Sequence, residues 1–219
     1  MLRRAQAIAP QEPWTRGLAL EKQLRGDNHE QAVVLAEGII RDDVENRGGA
    51  FNLAIIGYVG SMIELGRAAA VIDFFESLKP GISTAGYMPT GIKEAFMQFM
   101  LVQALVNVGS LDTANAILDS LIRFADKVLP GWRDNAYVMA TVSMMQGDRD
   151  SAIEYALQDL ERPLGKNLDW SLNYEHLVWM KPLIRDERLA KRLNELRDAT
   201  RLAGDAVRRM LARQASGQS

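Results

Sequence analysis

The chain has 219 residues, a formal net charge of −2, 47% hydrophobic residues and 25% charged ones. This is the composition of a globular protein rather than a disordered one, and so small a net charge supplies no field for holding nucleic acid or an anionic membrane. There is no cysteine, which excludes disulfides, thiolate zinc sites, iron–sulfur clusters and cysteine nucleophiles.

Residues 1–12 open the chain as an extension. Two arginines stand there, but the apolar core of a signal peptide does not follow. No later apolar run reaches the roughly 18 residues that a membrane helix needs. The expectation is a soluble cytoplasmic protein with no membrane partner. A fragment of a larger secreted chain would read the same way.

Residues 13–162 repeat one pattern. "WTRGLALEKQLR" leads into "GDNHEQAVVLAEGII" from Gly26, and "FNLAIIGYVGSMIEL" into "GRAAAVIDFFESL" from Gly66. "KEAFMQFMLVQALVNV" leads into "GSLDTANAILDSLI" from Gly109, and "NAYVMATVSMMQ" into "GDRDSAIEYALQDL" from Gly147. Successive turn glycines are 40, 43 and 38 residues apart. Apolar residues recur at three and four, the period of a helix face, and strand alternation is absent. Pro and Gly gather between the units, in "LKPGISTAGYMPTGI" and "VLPGWRDN".

Each unit therefore reads as helix, tight turn at Gly, helix. Gly suits the left-handed backbone that often ends a helix. Asp148, Asp150 and Ser151 can serve the free N–H groups of the next helix, as can Asp112 and Thr113 one unit earlier. Ala32, Ala70, Ala114 and Ala152 are expected where the two helices of a hairpin cross closely.

Residues 163–213 depart from the pattern. A Trp-rich stretch breaks at Pro182, and Arg-rich helices follow it. Asp186, Glu187, Glu195, Asp198 and Asp205 are interleaved with those arginines, which marks a solvated face and argues against nucleic acid. Leu189, Leu193, Leu196 and Leu202 form one apolar side suited to a partner helix. Residues 214–219 read as a disordered tail.

Nothing along the chain assembles into a catalytic set. His29 opens a polar turn, and His176 has only Glu175 beside it, with no HExxH-type spacing. Asp42, Asp43 and Glu45 lack the ligand spacing and central Gly of a calcium loop. "GDRD" is not a phosphate loop, and no Gly-x-Ser-x-Gly elbow exists. The reading is non-enzymatic, with no catalytic residue, no cofactor and no metal.

Gly147, Asp148, Ala140, Ala152 and Ala156 in the last unit resemble the tetratricopeptide repeat family. So do Leu101, Gly109, Ala114 and Leu118 in the third unit, and Gly26, Asp27, Ala32 and Ala36 in the first. The second unit departs from the family pattern through Phe74 and Phe75. "KPLIRDERLAKRLNEL" is similar to the closing segment of bacterial domains of this kind. The resemblance implies an all-α fold: an α-solenoid of about four hairpins in a right-handed curved stack, with C-terminal capping helices.

The resemblance also implies that the first helix of each unit lines a concave groove. Its lining would be Arg16, Leu20 and Gln23, then Ile56, Gly60 and Ile63, then Phe96, Phe99, Gln103 and Asn107, and finally Asp134, Tyr137, Thr141 and Met144. Such a mixed lining suits a protein or peptide partner, presented as a peptide or helix. The leading expectation is a non-enzymatic interaction module or scaffold. Two others compete with it: a sensor or regulatory domain of a larger bacterial regulator or enzyme, and a homodimer formed through Trp170, Trp179 and the C-terminal helices.

Overall fold

The computed structural model describes residues 12–42, 50–161, 174 and 178–215. Among these residues every regular element is helical. The first four α-helices are α1 (Pro13–Arg25), α2 (His29–Asp42), α3 (Ala50–Glu64) and α4 (Ala68–Leu78). They are followed by α5 (Ile92–Asn107), α6 (Leu111–Val128), α7 (Ala136–Met145), α8 (Arg149–Leu160) and α9 (Glu187–Ala215). Short 3-10 turns stand at Trp132–Asp134 and Lys181–Arg185.

The turns α1–α2, α3–α4, α5–α6 and α7–α8 are built alike. In the last, the N–H of Gly147 donates to the Met144 carbonyl at 3.1 Å and that of Asp148 to the Ser143 carbonyl at 2.9 Å. The same pair recurs as Gly109 to Val106 and Ser110 to Leu105, as Gly66 to Ile63 and Arg67 to Met62, and as Asp27 to Leu24 and Asn28 to Gln23. This is the Schellman arrangement, which consumes two orphan carbonyls at a helix end and needs one left-handed residue. Gly66, Gly109 and Gly147 supply it with φ of 70°, 79° and 78°. In the first turn Gly26 does not, with φ of −99°. Asp27 takes the left-handed place instead, at φ 51°. The extra residue in that turn moves the special position one step along, onto a residue type that tolerates it.

Counting from the left-handed residue fixes the register. Five residues on stand Ala32, Val71, Ala114 and Ala152, all essentially buried. Ala70, expected at this place, is exposed, because the crossing position of the second hairpin is Val71. Nine residues on stand Ala36, Phe75, Leu118 and Ala156, again all buried. Phe75 is the outsized member, and α3 and α4 are the most loosely apposed of the four hairpins. Phe74 beside it packs its ring 4.6 Å from that of Tyr58, with the Arg41 guanidinium 5.0 Å above it.

Hairpins then join hairpins. α2 lies along α3, α4 along α5, and the first helices pack on one another in the order α1, α3, α5. α6 and α7, the corresponding pair at the third joint, barely approach. One apolar core nevertheless runs from Leu20 to Leu196. α9 closes the end of the stack by burying Leu189, Leu193 and Leu196, and Arg192 donates to the Leu160 carbonyl at 3.0 Å. Leu202, expected on the same face, is 59% exposed. α9 runs through Gln214 to Ala215, two residues into the expected tail. Trp170, His176, Asp43 and Glu45 lie outside the described residues.

Candidate binding site

The loop between α4 and α5 is pinned rather than free. Glu76 accepts from the N–H groups of Gly81 (2.7 Å) and Ser83 (2.9 Å) and from the Ser83 hydroxyl. Buried Gln98 donates to the Ile82 carbonyl at 3.1 Å. Glu94 gathers the Thr90 N–H, the Tyr87 hydroxyl and Lys79 Nζ within 2.9 Å. Burial opposes ionisation of Glu94, but these hydrogen bonds outweigh it and hold the carboxyl down to about 2.

The next link, between α6 and α7, is built differently. α6 ends at Val128, and Gly131, at φ 78°, turns the chain into the Trp132–Asp134 turn. Trp132 Nε1 and the Arg133 guanidinium both donate back to Asp126 on α6, at 2.9 and 3.0 Å. Those two donors hold the Asp126 carboxyl below its usual range. Asn135 caps α7 by accepting from the Val138 N–H at 3.3 Å. The link thus leans on α6 and does not draw α7 against it.

The space left is a cavity of about 500 Å³. α5 contributes Phe96 and Phe99, α6 contributes Leu121 and Phe124, and α7 contributes Tyr137 and Val138, with Trp132 and Asn135 from the link. No Asp, Glu, Lys or Arg belongs to the lining. Five of the lining groups, Phe96, Phe99, Phe124, Trp132 and Tyr137, carry aromatic rings.

Of the expected groove positions, Phe96, Phe99 and Tyr137 meet in this cavity, and the rest are spread elsewhere. Arg16 turns toward α2 and bonds Asp42 at 2.8 Å. Gln23 accepts from Asn28 at 3.0 Å beside the first turn. Ile56 and Met144 are half-buried against the core, and Leu20, Gly60 and Ile63 are buried. Asn107 is exposed and donates to the Gln103 carbonyl at 2.9 Å, while Asp134 is exposed in the link. Gln103 and Thr141, at 4% and 1% exposure, face the interior and not an open surface.

A segment from the C-terminal region accounts for part of that covering. Tyr174 is buried, with its ring edge-on to Tyr137 at 6.0 Å and its hydroxyl donating to Asp159 at 3.0 Å. Trp179, Met180 and Leu183 are buried in the same core as the repeats. Lys181 pairs with Glu64 at the end of α3, and Arg149 on α8 donates to the Pro182 carbonyl at 3.2 Å. The segment therefore reaches the first helices α3 and α7. Burial pushes the Tyr137 phenol up to about 12, against hydrogen bonding with Thr141 and Trp179. Nε2 of Gln103 is buried without a partner at ordinary hydrogen-bond geometry. The sequence marks this stretch as part of a C-terminal cap but not its docking on the first helices, because nothing in a local pattern states which distant face a stretch of chain will cover.

The chain matches no family model, no curated protein and no solved structure. Among the described residues no three His, Asp or Glu side chains gather as metal ligands would. No described helix is long and apolar enough to cross a membrane. His29 Nδ1 lies 3.3 Å from Ser61 Oγ, an arrangement that ties α2 to α3.

Proposed function

We propose that this chain is a non-enzymatic interaction module: a solenoid of tetratricopeptide-like hairpins that binds a peptide or helix of a protein partner on the face of its first helices. Four like-built turns at near-constant spacing support the repeat reading. The observation that carries the binding reading is the chain's own C-terminal segment. It reaches α3 and α7 through an aromatic ring at Tyr137 and an ion pair at Glu64. A partner would use the same ring slot and the same carboxylate, and it would displace the segment. One buried donor on α5, Gln103 Nε2, is left unpaired, at a cost of about 1–3 kcal/mol that an acceptor on a partner would relieve.

The test is an affinity pull-down with mass spectrometry, comparing the native chain with Lys181→Glu. Loosening the segment should raise recovery of a specific partner several-fold, and Tyr137→Ala should lower it. Equal recovery across all three chains would remove the first-helix face from consideration. A second reading, a sensor domain of a larger regulator, is favoured by the ligand-sized cavity between α5, α6 and α7. The exposed Leu202 and Val207 on α9 keep a homodimer as the third reading, which light scattering resolves.

A further inference from the structure

The geometry points to the cavity at the third joint as a binding site for an uncharged, mostly apolar small molecule with a flat ring system. This deepens and rests on the sensor reading, and the cavity shares only the Tyr137 wall with the docked C-terminal segment. At about 500 Å³ the cavity falls within the roughly 300–1,000 Å³ of small-molecule clefts. Its aromatic side chains come from four elements: α5, α6, the α6–α7 link and α7. Ring faces and edges offered from several directions favour a planar aromatic guest over a flexible chain.

The charge pattern narrows the class further. With no ionised group in the lining, a charged ligand would lose its hydration without a counter-charge in return. Arg133, next to Trp132 in the chain, is outside the lining and pairs with Asp126 at 3.0 Å. One polar contact remains. The Asn135 carbonyl is used on the Val138 N–H, while its amide NH2 bonds no described residue and can donate to a single acceptor on the guest. The Tyr137 hydroxyl interacts with Thr141 and Trp179, so this residue offers the guest its ring. Tyr137 also stacks edge-on with Tyr174, so the cavity and the docked C-terminal segment share one wall.

The experiment uses the full chain and the neutral fluorophore N-phenyl-1-naphthylamine. One probe per chain is expected, with micromolar affinity and enhanced emission. Ala125→Phe and Ala95→Phe each place a ring in the cavity from a different helix. Either should weaken probe binding at least tenfold while keeping the helical circular dichroism and melting temperature. The sulfonated relative 1-anilinonaphthalene-8-sulfonate should bind at least tenfold more weakly than the neutral probe. Unchanged affinity in both filled variants, or equal binding of the sulfonate, overturns the proposal. Lys181→Glu separates the two surfaces. Retained probe affinity supports the cavity, and a several-fold rise would place the probe on the uncovered first-helix face and overturn the site.

Discussion

At the first joint α2 lies along α3, and glycines stand where α1 meets α3: a Cβ on Gly17 would sit 3.3 Å from the Ala50 Cβ, and one on Gly57 would sit 3.2 Å from Leu24. At the third joint α6 and α7 barely approach, and the positions that face across it are Phe96, Phe99, Phe124 and Tyr137. Both joints belong to hairpins with the same turn chemistry. The hairpin is thus set by its turn and its crossing residues, whereas closure between hairpins is set by the size of the side chains that meet there. Small residues let backbones come together; bulky rings from three elements stand off and leave a void.

The largest effect should separate the two joints directly. Leu20 is fully buried beneath Gly57, so Leu20→Ala should cost about 2–5 kcal/mol in urea unfolding. Phe99 is half-buried on the wall of an existing cavity, and Phe99→Ala should cost less than half as much. Equal losses would mean that the third joint closes in solution. Next in size is Ala152→Leu at the crossing of the last hairpin, where exposure is zero. Overpacking there should cost about 1–3 kcal/mol in a thermal melt. Val71 shows that the equivalent place in the second hairpin already holds a larger residue, so Val71→Leu should cost less than Ala152→Leu. The reverse order would refute the register counted from the turns.

The turns themselves differ in one detail that a smaller effect can read. The Ser151 hydroxyl and the Ser151 N–H, the latter at 3.1 Å, both serve Asp148 and hold its carboxyl below the ordinary range. Ser110, the cap of α6, makes no side-chain cap bond. Asp148→Ala should therefore lower the melting temperature measurably, and Ser110→Ala should leave it nearly unchanged. A similar loss from both would mean that the cap bond at Asp148 is not what distinguishes the two turns.

The hairpins were legible because their signals are local. Gly147, Gly109 and Gly66 mark positions where the backbone must be left-handed, and Ala32, Ala114 and Ala152 mark close crossings. Where local signals fail, they fail by small steps with a cause. Asp27 rather than Gly26 turns left-handed because the first turn holds one more residue. Val71 rather than Ala70 is at the crossing because register follows the turn and not residue size. The candidate site was legible only at Phe96, Phe99 and Tyr137. The burial of Gln103 and Thr141 and the gap between α6 and α7 depend on elements far apart in the chain, and no periodicity within one helix encodes them.

The two links between hairpins differ as the joints do, and pH should expose it. The α4–α5 link is fastened to Glu94, whose carboxyl is held at about 2 against an ordinary 4.5. A depressed carboxyl stabilises the folded state fully above the unfolded value and loses that contribution as pH falls through the folded one. Unfolding midpoints should therefore fall between pH 4.5 and 2 more steeply in the native chain than in Glu94→Gln. The difference should be small, roughly 1 kcal/mol, because Lys79 is 40% exposed and its pairing is screened by solvent. Urea midpoints at pH 6, 4 and 3 decide it. Parallel curves for the two chains would mean that Glu94 does not fasten this link, and the contrast between a pinned link and one that leans away would lose its electrostatic basis.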